Sequence, residues 1–353
     1  MPPTRILREK AIGETRWVAY DVTDRPIALR LDRWSDQDKR AQLGTITECR
    51  IRAIHERQGG AFVELPRGLE AFMRLAEGHR LTEGRSITVK IVAEARHGKF
   101  ARVQLIDEPR ETRQAKTSAA DLWLSRLSHG ASVTPEDVPV GDPNIQAAFE
   151  EALSETVTLH GGGTLRIQPT DAIIAVDLDT SGRSDSGRAA ARALRINLEA
   201  GRELARQLSL RNLGGAAVLD CVSPINRDAG LKVRDEFLAA FSNVSTRQAK
   251  ALAPSPFGLM EASIAWGETP IADRMLDSDG LPSDETLCLN GLRHLQREAR
   301  AQPMARFRLN LPERAHAWMT GCGLDLQARL DESFGARLAI SPHAKPQPEV
   351  FQT

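Results

Sequence analysis

The chain has 353 residues, enough for two or three domains with sizeable cores. Its 47 basic residues balance 47 acidic ones, which argues against coating nucleic acid by bulk charge and leaves room for local basic patches. Four scattered cysteines (Cys49, Cys221, Cys288, Cys322) contain no CxxC, which excludes a zinc site built from local cysteine pairs and fits free thiols in a reducing compartment. The N-terminus carries no apolar signal-peptide core and no run of 18 apolar residues occurs, so the chain reads as cytoplasmic with no membrane partner.

The chain opens with strands at Trp17-Val18-Ala19-Tyr20 and Pro26-Ile27-Ala28-Leu29-Arg30-Leu31, separated by a turn at Asp24-Arg25-Pro26. Residues 43–107 alternate apolar and polar side chains in several short runs, such as Ile87, Val89, Ile91 and then Ala101, Val103, Leu105. Arg96-His97-Gly98-Lys99 forms the hairpin loop between those two runs. This density of short strands and Gly-rich turns predicts a small barrel of the OB type. Phe62 and Phe72 flank the Pro66-Arg67-Gly68 turn. They serve either as stacking platforms for single-stranded bases or as ordinary core.

Pro109, Thr112, Thr117 and Ser118 precede a short helix over 119–127, and 128–142 reads as loop. Asp142-Pro143 then starts a helix, with Asp as N-cap and Pro at the first position. A hairpin follows, with Val157 and Leu159 before the Gly161-Gly162-Gly163 turn and Leu165 and Ile167 after it. A helix over 188–211 carries the stripe Ala191, Leu194, Leu198, Ala205, Leu208 and ends at Gly214-Gly215. A further helix lies near 234–241, and 276–284 is a polar linker. The last seventy residues alternate helix, strand, helix, helix, strand, with a frayed Pro- and Gln-rich end.

Ile173-Ile174-Ala175-Val176-Asp177 and Ala216-Ala217-Val218-Leu219-Asp220 are apolar strands, each ending in an aspartate, on either side of the 188–211 helix. A right-handed crossover makes such strands parallel and brings both carboxylates to one sheet edge, where ligands of open α/β sheets collect. Paired carboxylates repel unless water or a cation intervenes, and Mg²⁺ takes one or two carboxylates plus waters and phosphate oxygens. Aspartate is also a common turn and cap residue, which is the simpler alternative. Asp179 follows two residues after Asp177. The Ser181-Gly182-Arg183-Ser184-Asp185-Ser186-Gly187-Arg188 loop either holds phosphate through Arg183 and Arg188 or is simply solvated.

These residues resemble the ribonuclease E/G family of endoribonucleases. The resemblance is carried by Ala175-Val176-Asp177-Leu178-Asp179, Asn197-Leu198-Glu199-Ala200, Ala205-Arg206-Gln207-Leu208, Arg211-Asn212-Leu213-Gly214-Gly215, Val218-Leu219-Asp220 and Phe257-Gly258-Leu259-Met260-Glu261. In the barrel it rests on Gly60-Ala61-Phe62-Val63, Glu70-Ala71-Phe72 and Gly98-Lys99. It implies a multidomain α+β protein: N-terminal strands of a reduced RNase H-like part over 1–42, and an inserted OB-fold RNA-binding domain over 43–107. A linker and helices of the RNase H-like part then cover 108–152, a DNase I-like α/β catalytic domain 153–275, and a small C-terminal α+β domain 285–353.

The same resemblance implies catalytic Asp177 and Asp220 holding one Mg²⁺, with Asp179 as a further metal-site residue. Mn²⁺ accepts the same hard oxygen donors. It also implies RNA contacts at Phe62, Phe72 and Lys99, beside Arg183 and Arg188 from the loop. The expected reaction is hydrolysis of single-stranded RNA to 5′-phosphate and 3′-hydroxyl ends. Residues 108–141 are too short for the family's 5′-end sensor. The CPxC zinc link is missing, so any homodimer would not be joined by zinc. Ser223, Pro256 and Ile264 replace an acidic residue and two arginines usual in the family. Those losses support a second reading, a catalytically weakened RNA-binding protein on a nuclease-derived fold.

Overall fold

The computed structural model describes residues 3–37, 39–76, 78, 81–96, 98–106, 117–127, 133–184 and 186–353. Strands β1 (Arg5–Ala11), β2 (Glu14–Tyr20) and β3 (Pro26–Arg33) form an antiparallel meander. The expected turn before Pro26 contains Asp24 in the left-handed region. β2 is buried along nearly its whole length, because both faces of this sheet are covered.

The barrel follows. Strands β4 (Ile46–His55), β5 (Gly60–Glu64), β6 (Glu70–Arg74), β7 (Ser86–Ala93) and β8 (Ala101–Leu105) close in the order β4-β5-β6-β8-β7. This is an OB-like barrel. Strand alternation sends Ile51, Ala61, Val63, Ala71, Met73, Val89, Ile91 and Val103 inward as its core. In the β7–β8 connection, Arg96 and Lys99 bond to each other through their backbones. His97 of that loop lies outside the described residues, as do Pro109, Thr112, residues 128–132 and Asp185.

Helix α1 (Ala119–Leu127) packs Trp123 onto Trp17 of β2. The loop expected over 128–142 instead contains β9 (Glu136–Val138), which adds to β1 in parallel. Three residues carry no usable period. The pairing is a tertiary effect, in which the free edge of β1 supplies the ladder and Arg8 and Lys10 hold Asp137. Helix α2 (Pro143–Leu153) begins as expected, with Asp142 accepting the N–H groups of Asn144 and Ile145 at 2.9 and 3.2 Å.

Strands β10 (Thr156–Thr158), β11 (Thr164–Pro169) and β12 (Ile173–Asp179) lead through helix α3 (Ala189–Leu210) to β13 (Gly215–Asp220). Helix α4 (Arg227–Val244), β14 (Ala249–Ala251) and β15 (Leu259–Ile264) complete a six-stranded sheet in the order β10-β11-β12-β13-β15-β14. β12 and β13 are parallel, as the crossover argument requires, and the other pairs are antiparallel. One face of the sheet packs Ile174, Val176, Leu178, Leu219, Met260 and Ile264 against Leu204, Leu208, Val233 and Phe237 of α3 and α4.

The exit from α3 differs from expectation. Asn212, not a glycine, takes the left-handed position, and Leu213 N–H reaches back to Leu208 C=O at 3.0 Å. Gly214 and Gly215 instead make room for Trp266, since a Cβ on either would stand 3.0 Å from that ring.

A short helix α5 (Ile271–Met275) precedes the C-terminal unit of α6 (Asp284–Ala301), β16 (Phe307–Pro312), α7 (Glu313–Gly321), α8 (Leu326–Phe334) and β17 (Leu338–His343). The end expected to fray forms β18 (Glu349–Gln352), antiparallel to β16. Its apolar residues are too few to announce a strand, and the open edge of β16 recruits it. Buried Arg33, Glu14 and Arg293 bond this unit to the N-terminal sheet.

Candidate active site

The exits of β12 and β13 place the two aspartates together. The register of these adjacent parallel strands ends with Val176 opposite Leu219, and Asp177 and Asp220 each follow that last pair by one residue. Ile174, Val176 and Leu178 point at the helices, so period-two alternation sends Asp177 and Asp179 to the opposite face. On β13, Ala217 and Leu219 point inward and Asp220 outward. Both aspartates are exposed. Arg166 of β11 stands directly across from Asp177 on the same exposed face and is paired with Glu155 at 3.1 Å.

Asp179 is used differently. Its Oδ1 accepts the N–H and hydroxyl of Ser181 at 2.8 and 2.7 Å, and these bonds hold its carboxyl below the usual carboxylate range. Among the described residues no three His, Cys, Asp or Glu side chains gather as a metal-holding set. Asp177 and Asp220 leave adjacent strand ends on the same exposed face, with Asp179 bonded to its own loop. Hard oxygen donors in this number suit Mg²⁺, which completes its shell with water and phosphate oxygens.

Two residues of α3 hold the loops that leave the acid strands. Asn197 is fully buried, and its amide clamps Val222, donating to the C=O and accepting from the N–H at 2.9 Å each. Glu199 accepts Gly161 N–H at 2.8 Å and pairs with Arg183 at 2.7 Å. Arg183 also donates to Gly162 C=O at 2.8 Å, and its side chain is only 6% exposed. Arg183 is therefore held as an internal strut between the glycine turn and α3. The glycine turn is a docking surface for that loop: a Cβ on Gly163 would lie 2.5 Å from Asp179 C=O. Arg188 is the exposed N-cap residue of α3.

Ile264, at a position where the family usually has arginine, is buried on the helix-facing side of β15 with Met260 and Ala262. Its side chain faces away from the acid pair. Pro256 lies in the exposed turn that precedes Leu259, the residue opposite Asp220.

On the barrel, Phe62 and Phe72 lie outside the core and pair across β5 and β6 on the outer surface. Their ring centroids are 5.4 Å apart at 68°. His55 and Phe100 complete a four-ring cluster centred on Phe62, at 5.2 and 5.5 Å. Both rings are half-buried on the outside of the barrel and stand apart from its core. Gly60 makes the cluster possible, because a Cβ there would run into the Phe72 ring and stand 2.7 Å from Met73 C=O. Lys99 is exposed beside Phe100, and Arg102 stands across from Phe72.

Sequence reasoning assigned no role to His55, Phe100 or Arg166, and named Asn197 and Glu199 only within a motif that carries the family resemblance. A buried-stripe asparagine in α3 was the signal available for Asn197, and the Lys99-Phe100 step was the signal for Phe100. A cavity of about 530 Å³ lies between the β2–β3 loop, α3 and α4, lined by Arg25, His160, Glu203 and Arg206. It sits on the covered side of the sheet, away from the acid pair. No described helix is long and apolar enough to cross a membrane.

Together these features define a mixed α+β protein in which a closed five-stranded, OB-like barrel accompanies a six-stranded sheet with exposed aspartates at two adjacent strand ends. The model of the Ribonuclease E/G family matches residues 68–264, more than half of the chain, and the protein belongs to that family. Ribonuclease E of Escherichia coli (strain K12) is 29% identical over 209 residues, covering 55% of this chain and 19% of that protein. Ribonuclease E of Haemophilus influenzae is 32% identical over 166 residues, 44% of this chain and 17% of that protein. Ribonuclease G of Salmonella typhimurium is 31% identical over 118 residues, 33% and 24% respectively. The chain thus aligns with less than a quarter of the length of these relatives.

Proposed function

We propose that the protein is an Mg²⁺-dependent endoribonuclease that hydrolyses phosphodiester bonds of single-stranded RNA, leaving 5′-phosphate and 3′-hydroxyl ends. The observation that carries this reading is that Asp177 and Asp220, both exposed, each follow by one residue the last paired rung of two adjacent parallel strands, in a chain of the Ribonuclease E/G family. The α/β unit is read as a DNase I-like catalytic domain on the same ground. Asp177 and Asp220 would hold the ion, and Mn²⁺ fits the same oxygens. A divalent ion at that place supplies charge stabilisation for a phosphate oxygen and a lower pKa for an attacking water.

The chain's own groups do the rest. Arg166, directly across from Asp177 and paired with Glu155, sets a guanidinium one strand away from the site, within reach of the negative charge of a phosphodiester. Asn197 and Glu199 hold the strand exits in place, so the carboxylates meet substrate already positioned. The barrel rings Phe62, Phe72, Phe100 and His55 offer stacking surfaces to unpaired bases. Lys99 and Arg188 offer charge to the backbone.

The second reading, an RNA-binding protein with weakened chemistry, draws support from the commitment of Asp179 to Ser181. One assay separates the two. An end-labelled single-stranded RNA is incubated with Mg²⁺ or EDTA, using wild type and Asp177→Asn. Metal-dependent internal cuts that disappear in the variant support the nuclease. Tight binding with no cuts in either protein overturns it in favour of the second reading.

A further inference from the structure

Beside the acid pair the chain exposes an aromatic ring with no assigned use. Phe257 is 88% exposed, so its ring forgoes nearly all of the stabilisation that burial would give. Single exposed apolar residues are common and need no function. Phe257 differs in how it is held and in where it stands.

It rides a short, fully bonded turn. Ser255 N–H donates to Leu259 C=O at 3.0 Å and Gly258 N–H to Ser255 C=O at 2.9 Å, while Ser255 Oγ accepts Phe257 N–H at 3.3 Å. Gly258, at φ +85°, closes the turn. The turn is then pinned to the exit of β13 by Cys221 N–H donating to Gly258 C=O at 3.0 Å. A methyl group placed on Gly258 would lie 4.0 Å from Asp220 Oδ1. Phe257 is therefore one residue from a glycine whose backbone lies beside the Asp220 carboxylate.

Its neighbours are apolar too. Leu259, directly across from Asp220, is 36% exposed, and Leu252, bonded through its N–H to Glu261, is 64% exposed. Phe257 and Leu259 thus put exposed apolar surface beside Asp220. A nucleotide divides along the same line, with a flat π-face on one side and a phosphate on the other. The turn carries no Lys or Arg, so its contribution to a strand is stacking and not charge.

We infer that Phe257 stacks on a nucleobase next to the phosphate that a divalent ion on Asp177 and Asp220 would hold. This rests on the proposed function. RNA is then gripped at two separate aromatic places, the four-ring cluster of the barrel and the single ring at the site of cutting. Because the turn is already ordered, little chain entropy is lost when a base lands on it.

The test uses the full chain carrying Asp177→Asn, so that RNA survives, and a fluorescent single-stranded oligonucleotide in Mg²⁺. Phe257→Ala should weaken binding about 5- to 150-fold, the range of one lost base–aromatic stack. Phe257→Tyr should restore most of it. A set of oligonucleotides with one abasic position each supplies the decisive readout. At one position, removing the base should erase the difference between Phe257 and Phe257→Ala, whereas the difference persists at the others. Equal affinity of the two proteins, or a loss independent of which base is removed, overturns the inference while leaving the nuclease reading intact. Absence of RNA binding with Phe257 in place overturns both.

Discussion

Arg183 offers the sharpest separation of a structural role from an RNA-binding one. Arg183→Ala removes a guanidinium whose side chain is 6% exposed and which bonds Glu199 at 2.7 Å and Gly162 C=O at 2.8 Å. Truncating one partner of a buried pair costs about 3–5 kcal/mol when the other charge is stranded. Glu199 keeps the Gly161 N–H at 2.8 Å and is 17% exposed, so water relieves part of the penalty. The expected loss is about 2–3 kcal/mol, close to one charge-assisted hydrogen bond. Urea unfolding followed by circular dichroism measures it. Adding Glu199→Gln should recover part of the loss, because the stranded charge is then gone. The salt dependence of RNA affinity should stay unchanged, since the guanidinium faces the glycine turn. A phosphate ligand would behave in the opposite way. Stability would hold, and the slope of log affinity against log salt would become shallower by about 0.7. That outcome would refute the strut assignment.

On the barrel, Phe62→Ala deletes three edge contacts and should cost about 2–4 kcal/mol of stability, whereas Phe72→Ala should fold and weaken short single-stranded RNA by about 1–3 kcal/mol. Loss of folding in Phe72→Ala would instead make that ring a structural element. A pH prediction concerns Glu94, which ties the barrel to Thr269 beyond β15. Burial alone would raise its pKa, but Arg40 and the donors of Leu43 and Thr269 outweigh that and hold it below the ordinary glutamate value of 4.5. Its stabilisation is present above that ordinary value and is lost as pH falls through the lower, folded-state value. The stability gap between wild type and Glu94→Gln should therefore shrink below about pH 4.5. A gap that stays constant down to pH 3 would contradict the lowered pKa.

The elements that a local pattern can specify were legible without coordinates. Alternating Ile87, Val89 and Ile91 announced a barrel strand, Asp142-Pro143 a helix start, and the apolar runs before Asp177 and Asp220 a buried parallel pair. Each depends on neighbours a few residues apart, within reach of a period or a cap. The pairing of the two aspartates was also accessible, because the handedness of a strand–helix–strand crossover restricts where both strands end.

Tertiary structure decided what depends on chain segments meeting. It made Arg183 a strut, because the Gly161-Gly162-Gly163 turn and Glu199 surround it. It turned Ile264 into core, made a strand of Glu136–Val138 and another of Glu349–Gln352, and gathered His55 and Phe100 around Phe62. A guanidinium or a ring has the same local sequence signature whether it faces water or another segment. Only the packing of distant elements settles which side is dry, and that side determines whether a charge supports the fold or is left to meet a ligand.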